Sequence, residues 1–388
     1  MSNEVLIVSA VRTPVGAFQG VLKSQGAVDL GVVAAKAAIE RAGIQPSDVE
    51  EAYFGCVLQG NLGQAPARQV VLRAGCPDTT EATTVNKVCA SGMKAAALAT
   101  QSIQLGLRDV MLVGGMESMS QSPFYLPRGG LAFGDATASD AILKDGLTDA
   151  LDHQHMGLCA ENTAKEHGIT REAQDAYALQ SYDRASAAWS AGAFADEIAP
   201  VTIRDRKGET VVKEDEEYKK LNKDKLTTLR PAFLKDGTVT AANASSLNDG
   251  ASALILASHK AVAQHNLRAI AKVIATADAA RAPVDFGIAP AKAIPIALER
   301  AGLSIDQIAL FEINEAFSVV ALANAQILGL DVAKVNTLGG GVSLGHPIGS
   351  SGSRIMVTLA HALKPGEFGV ASVCNGGGGA SAVVLQRL

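Results

Sequence analysis

Glu40-Arg41-Ala42-Gly43-Ile44 returns 259 residues further along the chain as Glu299-Arg300-Ala301-Gly302-Leu303. Each copy closes an Ala-rich stretch patterned as an amphipathic helix, and a glycine just past the last periodic residue suits a left-handed helix cap. An apolar run of strand character follows each, Glu51 to Val57 in one case and Leu310 to Asn314 in the other. At an offset of 260, Ala90-Ser91-Gly92-Met93-Lys94 matches Ser350-Ser351-Gly352-Ser353-Arg354, and a long helical stretch again follows. Asp109 to Gly115 (DVMLVGG) then aligns with Gly369 to Asn375 (GVASVCN), two β-rich runs that enter glycines. Chance likeness between Ala-rich helices would scatter in register; these matches hold theirs. The chain is therefore read as α/β, two similar halves sharing a strand–helix–strand order with mixed sheets.

Residues 119 to 248 differ in character. They carry the lone Trp189 and a charge-dense stretch, Arg204 to Arg230, with nine Lys/Arg against seven Asp/Glu. This segment reads as an insertion into the first half, whose last strand, Ala251 to Ala257, resumes afterwards. The organisation expected is a first half over 1–118, completed by about 249–268, an inserted loop domain over 119–248, and a second half over 269–388. A charge run of this kind is ordinarily a solvated face. A polyphosphate-bearing ligand is the use that would recruit some of its cations.

Composition narrows the function. The 388 residues suffice for two or three structural units around a large core. Hydrophobic residues make up 48% and charged ones only 19%, with 38 glycines, which fits tightly packed helices and strands rather than disorder. A formal charge of −5 argues against a nucleic-acid surface, so an anionic ligand must be met by local positive charge. Five scattered cysteines without a CxxC pair (Cys56, Cys76, Cys89, Cys159, Cys374) indicate neither a zinc knuckle nor a disulfide framework, and a reducing compartment is expected. The start, MSNEVLIVSAVRTPVG, has neither a signal-peptide nor a transit-peptide pattern; no run of 18 apolar residues occurs, and the final LQRL is no peroxisomal signal. A cytoplasmic enzyme is expected, with a processed mitochondrial-matrix form as the alternative.

Four stretches carry chemistry. Cys89, in Val85-Asn86-Lys87-Val88-Cys89-Ala90-Ser91-Gly92, sits where an extended segment meets a helix starting near Ser91. The positive end of a helix dipole lowers a thiol's pKa, although a lone cysteine is as readily a structural one. His346 lies in Gly339-Gly340-Gly341-Val342-Ser343-Leu344-Gly345-His346-Pro347, a glycine-rich turn. By the duplication it stands three residues before the counterpart of Cys89, so pseudo-symmetry brings the two loops face to face. A Cys–His pair is the usual way to activate a thiol. Cys374-Asn375-Gly376-Gly377-Gly378-Gly379 ends a strand with bared backbone N–H groups, suited to an oxyanion site or to a close-packed bend. Asn314-Glu315-Ala316-Phe317 follows an apolar strand, and such a pair alone is as readily a helix cap.

Taken in order, VNKVCASG, NEAF, GHPIGSSG and CNGGGGAS resemble the motifs of the thiolase family, with GQAPARQ, GGMESMS, HMG and GTVTAANAS extending the likeness over nearly the whole chain. Each motif alone is moderately specific; four in order are highly so. The resemblance is nearest to the short-chain, acetoacetyl-CoA-forming branch. It implies the thiolase fold, two duplicated α-β-α-β-α halves in five layers, with an inserted loop domain that covers CoA, commonly assembled as a homotetramer, a dimer of dimers. The activity implied is the reversible Claisen condensation of two acetyl-CoA to acetoacetyl-CoA and CoA through an acetyl-cysteine.

Site roles follow from the same resemblance. Cys89 is the expected nucleophile and His346 takes its proton, later polarising a thioester oxygen. Cys374 is the expected base for the α-proton of the second acetyl-CoA. Asn314 would hold a water that, with His346, stabilises the enolate oxygen, and the N–H groups of Cys89 and Gly376 would form the other oxyanion hole. No organic cofactor is expected, because the thioester supplies its own activation. For CoA the family pattern points to His155 and Met156 of HMG, Tyr182, Ser245, Ala316, Phe317 and Phe286, with Lys220 and Lys225 as cations. Lys220 stands where relatives often have Arg, so bidentate phosphate contact is lost there. Thiolases that accept a 2-methyl branch resemble this chain at Phe286 but carry proline where it has Gly287, which adds backbone freedom. Acetoacetyl-CoA is therefore the expected preference. Potassium-activated relatives resemble it at Tyr182, Ala241, Ala242, Ala244 and Val342, implying a potassium ion held by the tyrosine hydroxyl and four carbonyls. His153 and His155 form no metal site without a third ligand. The alternatives are a degradative 3-ketoacyl-CoA thiolase of broader chain length, a ketoacyl synthase, against which the Cys374 loop argues, and a non-catalytic acyl-CoA-binding relative, against which both cysteines argue.

Overall fold

The structure is a computed structural model that describes residues 4–129, 133, 135–206 and 208–388. The first three residues of the opening stretch read above lie outside it. Its strands and helices are β1 (Val5–Arg12), α1 (Ala27–Ala42), β2 (Glu51–Gly55), α2 (Pro66–Arg73), β3 (Glu81–Val85), α3 (Ser91–Gln104), β4 (Val110–Ser118), α4 (Met156–Glu166), α5 (Arg171–Ser190), β5 (Asn248–Ser258), β6 (Ala271–Ala280), α6 (Pro290–Ala301), β7 (Ile308–Ile313), α7 (Ser318–Leu328), α8 (Ile348–Ala362), β8 (Phe368–Asn375) and β9 (Gly379–Arg387), besides shorter pieces.

The duplication is visible in the sheet. Its strand order is β7-β8-β9-β6-β1-β5-β4-β2-β3. Reading outward from the centre, β1, β5, β4, β2 and β3 mirror β6, β9, β8, β7 and the parallel bridge Phe311–Val335. In the first half β2 runs parallel to both β3 and β4, in the second β7 runs parallel to β8, and the pairs nearer the centre are antiparallel. The halves meet where β1 and β6 run antiparallel, Val5 opposite Val273 and Ile7 opposite Ala271. The expected two sheets are thus one continuous sheet, because β1 and β6 each offer an edge that would otherwise be left unpaired.

Five layers follow from which faces are apolar. Val8, Val11, Leu112, Met116 and Ile255 pack outward against Leu30, Ala34, Ala38 and Val70 of α1 and α2. The opposite face, with Ile7, Val113 and Leu254, meets α3 and α8, as do Val373 and Val383 of the second half. Ile313, Val370 and Val384 then turn outward onto Ile294 and Leu298 of α6. The central helix α8 is buried from Ile348 through Ala360, with its polar residues Ser350, Ser351, Ser353, Arg354 and Thr358 included. Gly43 and Gly302, at φ 72° and 67°, cap α1 and α6 as their spacing predicts.

The insertion leaves and re-enters the sheet at neighbouring points, since Ser118 is paired with Asp249. Its helix α4 packs on the second half, placing Met156, Cys159 and Ala160 against Phe317, Val320 and Ala323. The charge run is not wholly solvated as expected. Asp215 is fully buried and accepts from Arg12 Nη1 at 2.7 Å, from the Val15 N–H at 2.7 Å and from Trp189 Nε1 at 3.1 Å. Arg12 is buried too and also pairs with Glu197. The insertion is stapled to β1 through this cluster, and removing either partner would leave a stranded charge, at a cost of about 3–5 kcal/mol.

Candidate active site

Cys89 emerges from a strained elbow. Val88 holds φ 47°, a left-handed conformation that β-branched residues avoid, costing about 1–3 kcal/mol. Ser91 sustains it: its hydroxyl accepts the Lys87 N–H at 2.8 Å and donates to the Val88 carbonyl at 2.6 Å. Lys87 itself reaches across to Asp278 and to Ser381 (2.8 Å), tying the elbow to β6 and β9 of the other half. The thiol therefore sits on the seam between halves, at the N-terminus of α3.

His346 precedes α8 on the facing side. Its backbone N–H donates to Asn248 Oδ1 at 2.7 Å, and its Nδ1 lies 2.6 Å from Ser351 Oγ. The Ser351 hydroxyl donates to the Pro347 carbonyl at 3.0 Å, so the hydrogen-bond network gives Nδ1 the proton and leaves Nε2 unprotonated, an acceptor. Burial, and then the charge of Arg354, lowers His346 to about 3, which keeps it neutral. Asn314 Nδ2 stands 3.4 Å from Nε2, while Asn314 Oδ1 is buried without a protein partner, a place a water would satisfy.

A cavity of about 280 Å³ joins these loops. Cys89, His346 and Gly376 line it together with His155, Met156, Ser245, Phe286, Ala316 and Phe317, so nine residues singled out from sequence converge on one space. His155 caps α4, accepting the Gly157 N–H at Nδ1 (2.9 Å), and its ring stacks on Phe233 at 4.8 Å. Cys374 is fully buried behind the cavity wall. Gly377 and Gly378, at φ 81° and 83°, form the bend after it, and a side chain at Gly378 would strike the Arg281 carbonyl at 2.4 Å. The glycines thus serve both readings, a tight bend and an exposed N–H at Gly376.

The thiols do not behave as a helix N-terminus alone suggests. Burial pushes Cys89 up to about 12, outweighing the N–H groups of Gly376 and Cys89 that favour its thiolate. Burial, and then the charge of Cys89, holds Cys374 well above its ordinary value. Both are protonated at rest, so Cys89 needs a partner to take its proton.

Other expectations fall elsewhere. Lys220 is half-exposed and lies 3.5 and 3.6 Å from Glu216 and Glu217, and Lys225 lies in a short 3-10 stretch over 223–228; neither borders the cavity. Gly287 sits in a 3-10 turn whose carbonyl is held by Asn324 at 2.7 Å, which offsets the freedom expected of a glycine. Among the described residues no cluster of three His, Cys, Asp or Glu could hold a metal, His153 and His155 included. Ser351, Asn248, Phe233 and Glu117 escaped the sequence reading; Ser351, one turn beyond His346, was the one with a local signal.

Family models settle the lineage, that for the thiolase N-terminal domain matching residues 5–260 and that for the C-terminal domain residues 267–387. The chain belongs to the thiolase family. It is similar to a mitochondrial acetyl-CoA acetyltransferase of Gibberella zeae, 58% identical over 100% of this chain and 91% of that one. A mitochondrial acetyl-CoA acetyltransferase of Mus musculus is 56% identical over 100% and 92%. Among solved structures, the Acat5 thiolase from Ascaris suum in complex with coenzyme A superposes with a TM-score of 0.96 at 50% identity, covering 99% of this chain and 100% of that one. The thiolase fold implied by the motif resemblance is confirmed. Both curated relatives are named mitochondrial, and nothing here supports the cytoplasmic expectation.

Proposed function

We propose that this thiolase is an acetyl-CoA C-acetyltransferase, condensing two acetyl-CoA to acetoacetyl-CoA and CoA and running the reverse cleavage. The observation that carries the reading is the convergence of Cys89, a neutral His346 with an unprotonated Nε2, and the Gly376 N–H on one cavity. His346 takes the Cys89 proton as sulfur attacks the first thioester. The N–H groups of Cys89 and Gly376 face the oxyanion. Cys374 gives its proton to the departing CoA sulfur and, as thiolate, removes the α-proton of the second acetyl-CoA. The carbanion attacks acetyl-Cys89, and the released sulfur recovers its proton from His346, so every proton is returned.

The relatives' names favour acetyl transfer over a broader chain-length role. Their compartment also favours the mitochondrial alternative. A homotetramer belongs to the same reading, supported by apolar Phe124 and Leu126, 66% and 54% exposed on the insertion. CoA would lie across His155, Phe233 and Ser245. A potassium ion would sit among Tyr182, which packs on Val342, and the carbonyls of Ala241, Ala242 and Ala244, which accept no hydrogen bond from a described residue. Neutral oxygens of this kind suit a large monovalent cation. The test is mass spectrometry after mixing with acetyl-CoA. An acetyl adduct on Cys89, absent in Cys89→Ser, is expected; an adduct on another cysteine overturns the assignment.

A further inference from the structure

Glu117 belongs to none of the roles above, yet it is fully buried beside them. It leaves the inner face of β4, two residues beyond Gly115. Its Oε2 accepts the N–H of Val57 and that of Gly349, both at 3.0 Å, and its Oε1 accepts the Leu58 N–H at 3.1 Å. The Cys56 thiol lies 3.8 Å away. Gly349 is in the first turn of α8, three residues after His346, where a carboxylate is favoured by the unpaired N–H groups and the helix dipole.

That turn is packed without slack. A side chain at Gly349 would meet Glu117 Oε2 at 2.7 Å and the Met116 carbonyl at 2.6 Å; one at Gly92 would meet the Gly349 carbonyl at 3.1 Å. One at Gly352 would meet the Met93 N at 2.7 Å and the Cys89 carbonyl at 3.4 Å. The first turns of α3 and α8 therefore touch backbone to backbone, and whatever fixes Gly349 fixes His346 relative to Cys89.

We propose that Glu117 is a positioning residue: its carboxylate anchors the start of α8, and with it His346, against the Cys89 elbow. It touches no substrate and acts through the two loops. The assignment rests on the acetyl-transfer reading above. Burial raises Glu117 itself to about 7, so it is an anion in the alkaline range where Cys89 titrates, and there its charge adds to burial, as the smaller effect, in opposing the thiolate.

The test separates geometry from charge. Glu117→Gln keeps the shape but removes the charge and turns an amide N–H toward backbone donors; Glu117→Asp keeps the charge but withdraws it by one methylene. Wild-type enzyme must first show acetylation of Cys89; failure there sinks the functional reading rather than this one. With that in place, single-turnover acetylation should fall about 100-fold in both variants, the scale of a misplaced catalytic group. Alkylation of Cys89 by iodoacetamide should shift to lower pH in Glu117→Gln and hold its wild-type profile in Glu117→Asp, a pattern that general loosening would not produce. Wild-type acetylation in either folded variant, or an unmoved alkylation profile in Glu117→Gln, overturns the proposal. If Glu117→Gln does not fold, the acetylation rate of Glu117→Asp decides alone.

Discussion

Ser351 Oγ lies 2.6 Å from His346 Nδ1 and passes its own proton to the Pro347 carbonyl, one turn back along the same helix. The hydroxyl is thus an acceptor toward the ring, and it decides which ring nitrogen is free to act as base. In Ser351→Ala the ring can rotate or change tautomer, and Cys89 acetylation should slow by about 100-fold with the fold intact. Stopped-flow release of CoA reads this directly; an unchanged burst would show that His346 is oriented by its backbone alone.

Cys374→Ser should divide the reaction. Acetylation of Cys89 should persist but slow, because the nucleophile and His346 are untouched while the acid that protonates the departing CoA sulfur is weakened, and condensation fails because a serine hydroxyl cannot take the α-proton. Mass spectrometry follows the first half and acetoacetyl-CoA formation the second. Near-normal condensation would make Cys374 a structural thiol.

His346 also leaves a mark on stability. Its folded pKa is lowered from 6.5 to about 3 by burial and then by Arg354, so the native state refuses a proton that the unfolded chain accepts. Above pH 6.5 the group contributes nothing to the pH dependence; as pH falls from there toward 3, it progressively destabilises the fold. Urea midpoints at pH 7, 6 and 5 should fall more steeply for wild type than for His346→Gln. Parallel slopes would mean that the ring charges in place.

Potassium should raise turnover more than an equal concentration of sodium, and Tyr182→Phe should blunt the difference. The Tyr182 hydroxyl is held protonated by burial and by the charges of Glu217 and Glu315, which leaves it a neutral oxygen ligand. Equal rates in the two salts, with the variant indistinguishable from wild type, would remove the ion from the account.

Much of this was readable before any coordinates, because the informative signals were local. Gly43 and Gly302 mark helix ends by a rule that spans a few residues, and Cys89, His346 and Cys374 each lie in a motif of eight or nine. What stayed hidden depends on contacts between distant positions. Asp215 looked like one more solvated charge because its partner, Arg12, is 203 residues away. Glu117 reads as the interior of a strand, and nothing near it names Val57 or Gly349. At Cys89 the backbone N–H groups of the elbow favour the thiolate as a helix N-terminus predicts, but desolvation, which depends on the packed structure, outweighs them. The single sheet was missed for a related reason: a periodic pattern identifies β1 and β6 as strands without saying that they pair.

That pairing bears on how the chain is made. Strand β1 precedes every other described strand, yet it sits at the middle of the finished sheet, and its two neighbours, β5 and β6, begin at residues 248 and 271. For most of synthesis both of its edges are open, with apolar side chains on either face. Closing loops of that length precedes any reward from the contacts, which makes folding slow and exposes the nascent chain to wrong partners. The centre of the sheet must wait for more than half of the chain before either of its partners exists.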